Sequence, residues 1–278
     1  MKQNSKYAFI LLLFLFIFSC TGTSISDKPD YILTSNLTYK GAEVYSNKSV
    51  LFGKFEVRMK MVNIGGAVSS FFLYDNKSWQ GLPYKWKEID IEALGREKDL
   101  LQTNIITGDN SNRIMSEQDH KIKNVGKEFY TYTIEWTPDY VAWYIEDILL
   151  RIDTAEENTQ IIDLREIPQI YRMNLWISNS VSWAGEINPD TLPVYQLIDS
   201  IKYYQYTPGE GYMGEDFTLE WIEDFNSFDS SKWGKGNWSF EGNLAAFSPQ
   251  NAVIKDGYLI LCLTTSDKLG FRGKDIME

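Results

Sequence analysis

Histidine and cysteine are almost missing from this chain of 278 residues, which has one His, His120, and two Cys, Cys20 and Cys262. With one imidazole, a His-based metal site or a Ser-His-Asp triad has little to be built from. Cationic residues are also short: Lys and Arg total 27 against 38 Asp and Glu, a net charge of −11, and no basic run occurs. Nucleic-acid binding needs clustered Lys and Arg, so no nucleic-acid partner is expected. No long segment repeats its apolar residues every 3.6 positions, which argues against a helical protein.

What is present reads as β-structure. Apolar residues make up 44%, enough for a substantial core, and the aromatics comprise 9 Trp, 17 Tyr and 15 Phe. Such a load suits a β-rich core and also a cleft lined with flat apolar faces. Residues 53–61 alternate strictly, with Phe55, Val57, Met59 and Met61 on one face and Lys54, Glu56, Arg58 and Lys60 on the other. Residues 130–136, 141–145 and 172–177 alternate in the same way, and Lys255-Asp256-Gly257 marks a hairpin before another apolar stretch. Many short strands separated by turns predict an all-β fold, an antiparallel β-sandwich of the jelly-roll kind. The Gly-rich stretch 207–216 is the clearest internal linker. About 60 residues beyond it are thin for a second domain, so the last segment is expected to complete one sandwich.

The N-terminal residues read as a targeting signal. Lys2 and Lys6 precede an unbroken apolar run over 8–18, too short to span a bilayer and of the size of a signal-peptide core. Ile-Phe-Ser-Cys at 17–20 resembles the lipobox of bacterial lipoproteins. That resemblance implies a signal peptide over 1–19, a lipidated Cys20, a tether over 20–36, and a secreted protein held on the cell envelope, with the outer-membrane surface as one place for it. Cys262 then has no partner and is a buried thiol. The sandwich domain is expected over 37–265, followed by a loose polar tail over 266–278.

The sharpest signal is Glu88-Ile89-Asp90-Ile91-Glu92. On a strand, the three acids share one face and the isoleucines the other. Three carboxylates in a row repel each other, so the row needs a reason. A solvated edge or a calcium site is one. A carboxylate pair for glycoside hydrolysis is another, because crowding separates the pKa values of acid and nucleophile. On a flat strand the Cα atoms of Glu88 and Glu92 lie roughly 13 Å apart, while retaining chemistry wants carboxyl groups about 5–5.5 Å apart. Glu side chains leaning inward on a concave strand would close that difference.

Glu-Ile-Asp-Ile-Glu resembles the catalytic strand of glycoside hydrolase family 16, a jelly-roll family of retaining endoglycosidases. Residues 40–43, 52–60 and 102–108 resemble the strands around it. Residues 223–259 resemble the usual beginning of a lichenase and here come last, as in a circularly permuted lichenase. The resemblance implies Glu88 as nucleophile, Glu92 as acid/base and Asp90 tuning both. Absence of an extra residue before Glu92 is typical of lichenases rather than β-1,3-glucanases. It also implies sugar-binding roles for Phe72, Tyr74, Gln102, Asn104, Arg172, Asn174, Trp176, Trp183 and Trp238, while Lys77 and Trp79 depart from the family pattern. No catalytic cofactor is implied. A structural calcium ion on Asp199, Asp224 and the Gly257 carbonyl is common in the family, although both acids also read as ordinary surface residues. The expected partner is β-glucan, and an endo-acting cleft needs no second subunit. A β-1,3-glucanase and a non-catalytic glycan-binding lipoprotein remain the alternatives.

Overall fold

The computed structural model describes residues 37–273. The signal segment, Cys20 and the tether lie outside the described residues. In chain order the first strands are β1 (Tyr39–Ser46), β2 (Gly53–Lys60), β3 (Ala67–Tyr74), β4 (Glu88–Leu94), β5 (Leu100–Asp109), β6 (Asn112–Met115), β7 (Gln118–Lys121), β8 (Tyr130–Trp136) and β9 (Tyr140–Ile145). Then come β10 (Ile148–Thr154), β11 (Ile170–Ile177), β12 (Val194–Tyr206), β13 (Phe217–Glu223), β14 (Trp233–Lys235), β15 (Ala245–Phe247), β16 (Ala252–Lys255) and β17 (Tyr258–Thr265). Two single-turn helices, α1 (Gln160–Asp163) and α2 (Val181–Ala184), sit in connections.

Two antiparallel layers form the sandwich expected from the alternation. The front layer runs β14-β1-β11-β3-β4-β5, with β6 and β7 side by side along the outer edge of β5. The back layer runs β16-β17-β12-β2-β8-β9-β10, with β13 continuing the β17 side of β12. Between them lies the core, in which Phe71, Leu73, Ile89, Ile91, Met173 and Leu175 meet Phe55, Val57, Ile134, Trp143, Ile201 and Leu261. The acid row of β4 therefore faces away from the core because its isoleucines are claimed by it.

Segments after residue 207 belong to this sandwich. Stretch 207–216 is the tip of the β12–β13 hairpin, closed by Tyr206 opposite Phe217 and by Thr207 N–H on the Asp216 carbonyl at 2.8 Å. It is a turn within a sheet rather than a boundary between domains. β17 lies between β16 and β12, β14 extends the front layer, and β15 runs parallel to the start of β1. The Lys255–Tyr258 hairpin places Asp256 and Gly257 at φ 50° and 78°, the left-handed pair a tight two-residue turn requires.

The residues after β17, read as a loose tail, are tied down as far as Arg272. Gly270 N–H donates to Asn251 Oδ1 at 2.8 Å, Phe271 packs on Tyr195 with ring centres 4.7 Å apart, and Arg272 N–H donates to the Tyr195 hydroxyl. One apolar ring in a polar stretch is the reason. Cys262 is a free, fully buried thiol pushed up to about 12 by that burial.

Candidate active site

Directly paired residues of neighbouring strands project to the same side, so register fixes which side chains share the face of the acid row. Tyr74, Phe72 and Ser70 of β3 stand opposite Glu88, Asp90 and Glu92. On the other flank, Ile106, Asn104 and Gln102 of β5 oppose the same three. Arg172, Asn174 and Trp176 of β11 pair with Phe72, Ser70 and Val68, and β1 adds Tyr45 and Glu43 opposite Arg172 and Asn174. Trp183, on α2, donates its Nε1 hydrogen to Gln102 Oε1 at 3.0 Å. Trp238 lies 5.4 Å from the Tyr45 ring, and the Arg172 guanidinium approaches it at 5.8 Å. All nine residues expected to bind sugar thus gather with the three acids on one face. Neither register beside β4 contains a bulge, so the three acids stay in one row.

Trp176 is more covered than a free stacking ring. It is only 9% exposed, enclosed by Val68, Leu94, Leu100 and Phe247, with Trp183 at 6.0 Å and Phe240 at 4.9 Å. Trp183 beside it keeps more open surface.

Several residues of the face went unassigned in the sequence. Glu43 is buried against Arg172, Nη1 to Oε1 2.5 Å, and accepts from Asn174 Nδ2 at 3.2 Å. Arg172 also donates to Asn76 Oδ1 at 2.5 Å, and Asn174 Oδ1 accepts from Ser70 Oγ at 2.6 Å. Trp86 donates its Nε1 hydrogen to Glu88 Oε2 at 2.6 Å. Alternation carries a signal for Trp86, which lies two residues before Glu88; nothing local marks Asn76. From behind, the core Trp143 of β9 donates to the Asp90 carbonyl at 2.9 Å, so the far layer holds the strand of the acid row directly.

Crowding and burial set the proton affinities. Burial pushes Glu88 up to about 7, against the pull of the Trp86 N–H and the cations Arg113 and Arg172. Burial pushes Glu92 up to about 8, and the charges of Glu88 and Glu117 act in the same direction, with no cation opposing them. Asp90 rises well above the ordinary carboxylate range because it is buried between Glu88 and Glu92. Burial raises both outer acids; the donor and cations beside Glu88 hold its rise below that of Glu92, whose carboxylate neighbours add to the effect of burial.

His120 stands outside this group: Thr103 Oγ1 is 3.0 Å from its Nε2, and burial with Arg151 nearby lowers its pKa, so its role is structural. The suggested calcium ligands converge by topology. Asp199 lies between Ile198, paired with Leu259, and Ile201, paired with Glu223, which bring it towards Gly257 and Asp224. Their oxygens suit a hard cation. Asp199 is also 3.7 Å from Arg58 Nε, and Asp224 accepts from Asn226 Nδ2 at 2.6 Å. Among the described residues no group of three or more His, Cys, Asp or Glu side chains is arranged for a metal.

Comparison with known proteins places this geometry in a family. The model for glycosyl hydrolases family 16 matches residues 17–199. A beta-glucanase of Fibrobacter succinogenes is 42% identical over 246 residues, covering 87% of this chain and 69% of that protein. A beta-glucanase of Brevibacillus brevis is 36% identical, covering 64% of each chain. Among solved structures, a Bacillus licheniformis beta-glucanase is 28% identical with a TM-score of 0.45, covering 58% of this chain and 67% of its own. A family model matched over most of the chain, together with a close relative spanned over more than two thirds of its length, makes this chain a glycoside hydrolase that belongs to glycosyl hydrolases family 16.

Proposed function

We propose that the chain is a retaining endo-β-1,3-1,4-glucanase that cuts mixed-linkage β-glucan by double displacement. The observation that carries the reading is the row of three acids on one unbulged strand, sharing its face with aromatic and amide side chains, with both outer acids raised by burial. In the first step a Glu88 carboxylate oxygen attacks the anomeric carbon while the glycosidic C–O bond breaks. The leaving oxygen takes its proton from Glu92. The product is a glycosyl ester on Glu88. In the second step Glu92, now ionised, removes a proton from water, the water oxygen attacks the same carbon, and the ester bond breaks. Two inversions return the original configuration. Asp90 hydrogen-bonds Glu88 and relays charge between the steps. Trp183 and Trp238 stack on sugar faces while Gln102, Asn104 and Asn174 read hydroxyls.

Support for the mixed-linkage specificity comes from the regular register of β4 and from the beta-glucanase relatives. Support for a circularly permuted order comes from strands β14–β17, which build both layers from the end of the chain. The decisive experiment compares sugar release from lichenan, laminarin, xyloglucan and carboxymethylcellulose by the wild type and by Glu88→Ala. Lichenan cleavage that disappears in the variant, with an unchanged circular dichroism spectrum, supports the reading. Laminarin as the preferred substrate moves it to a β-1,3-glucanase. Binding without turnover by the wild type rejects it.

Two accessory features belong to the same reading. Cys20 carries a lipid that anchors the enzyme to the cell envelope; failure of the wild type to incorporate labelled palmitate in a bacterial host would reject this. A calcium ion held by Asp199, Asp224 and the Gly257 carbonyl braces the β12–β17 corner and takes no part in the chemistry. Titrating calcium into chelator-treated protein should raise the melting temperature, and an unchanged value rejects the site.

A further inference from the structure

One end of the acid-row face carries an arrangement that the mechanism above does not use. Trp86, just before β4, Gly108 of β5 and Arg113 of β6 form a row. Trp86 N–H donates to the Gly108 carbonyl at 2.7 Å, and Gly108 lies opposite Arg113 in the β5–β6 register. Gly108 has φ +93°, and a Cβ there would sit 2.3 Å from the Asn112 carbonyl oxygen. No side chain therefore stands between Arg113 and Trp86. The guanidinium carbon lies 3.7 Å from the centre of the indole ring. Tyr74 closes the edge of the same indole at 5.5 Å and 67°. The indole is held on a face and an edge while its Nε1 hydrogen rests on Glu88 Oε2. The flanking side chains Ile114 and Met115 are more than half exposed, so the rest of this edge offers the indole little support.

We propose that Arg113 is a positioning residue for the nucleophile: stacked on Trp86, it keeps the indole N–H on Glu88 and sets a fixed positive charge beside that carboxylate. The inference rests on the reading of Glu88 as nucleophile. A stacked guanidinium lowers the freedom of the ring beneath it, and a nucleophile held in one rotamer loses less freedom on reaching the transition state. The groups acting on Glu88 are Asp90 and Glu92 on its own strand, Tyr74 from β3, Arg172 from β11 and Arg113 from β6, whereas β5 places the uncharged Ile106 opposite it. Glu117 acts on Asp90 and Glu92. Arg113 and Arg172 are thus the two cations, and Arg172 is already engaged by Glu43.

The test is the pH dependence of kcat and KM on mixed-linkage β-glucan for the wild type, Arg113→Ala, Arg113→Lys and Arg113→Gln. Arg113→Ala should lower kcat about tenfold with KM nearly unchanged, since a group that orders a reacting residue acts on the chemical step. Its acid limb should move to higher pH, because removing a cation favours the protonated nucleophile. Arg113→Lys should return the limb towards the wild-type position without restoring kcat, since it keeps the charge and loses the flat stack. Arg113→Gln should leave the limb displaced. Wild-type kcat and an unmoved limb in Arg113→Ala would overturn the inference, as would a change confined to KM. If Arg113→Ala does not fold, the Lys and Gln variants give the same separation of charge from stacking. A wild type inactive on every glucan overturns the nucleophile reading and this inference with it.

Discussion

Replacing Glu92 by Gln should make the protein more stable and inactive at once. In the folded chain the Glu92 carboxyl keeps its proton up to about pH 8, whereas its ordinary value is 4.5. A raised carboxyl is harmless below the unfolded value, where both states hold the proton. As pH climbs from 4.5 towards 8 the unfolded chain releases it and the folded chain does not, so stability falls across that window. Each pH unit in the window is worth about 1.4 kcal/mol. At pH 7 the ceiling is therefore roughly 3 kcal/mol over the interval from 4.5. Water reaches Glu92 in part, and the repulsion is shared with Glu88 and Asp90, so the expected gain is about 1–2 kcal/mol. For a domain of this size that raises the melting temperature by roughly 2–8 °C. Melting curves of wild type and Glu92→Gln at pH 4.5 and pH 7.5, followed by intrinsic fluorescence, measure it. The gain should be present at pH 7.5 and nearly absent at pH 4.5. A variant no more stable than the wild type at pH 7.5, or equally stabilised at both values, would refute the electrostatic account of the acid row.

Two further predictions concern the same face. With Glu88 near 7 and Glu92 near 8, the proposed roles make kcat/KM follow a narrow bell centred between neutral and mildly alkaline pH, measured on lichenan across pH 5–10; an optimum below pH 5 contradicts it. Glu43→Ala strands the buried Arg172 guanidinium and one amide of Asn174, so urea unfolding at neutral pH should show a loss of about 3–5 kcal/mol, and a loss under 1 kcal/mol would mean the pair is not the anchor of β1 on β11.

Much of the architecture was legible because alternation is a local property. Phe55, Val57 and Met59 are all fully buried, as the period of two in their segment requires, and the same holds for Ile134 and Trp143. The acid row was legible for the same reason: Glu88, Asp90 and Glu92 have no way to face the core once Ile89 and Ile91 do. Glu43 could not be assigned, because what makes it a site residue is Arg172, 129 positions away, and the identity of that partner depends on β1 pairing with β11. Arg113 was hidden for a related reason. Its contact with Trp86 needs the missing side chain of Gly108 on the strand between them. Residues 207–216 show what composition leaves open. A Gly-rich stretch has the composition of a linker whether it joins two domains or turns between two strands, and only the pairing of Tyr206 with Phe217 separates the cases.

The hydrogen bond from Trp143 to the Asp90 carbonyl joins the strand of the acid row to the interior. A volume change among the packed rings of the far layer will be transmitted to the acid row, so hydrophobic redesign of that layer should change turnover. Freedom to alter which glycan is accepted lies instead at the margin, with Trp183, Trp238 and the residues between Tyr74 and Trp86, whose surroundings do not pass through that indole. New specificities in this scaffold should accordingly arise by rebuilding the rim around an unaltered acid row.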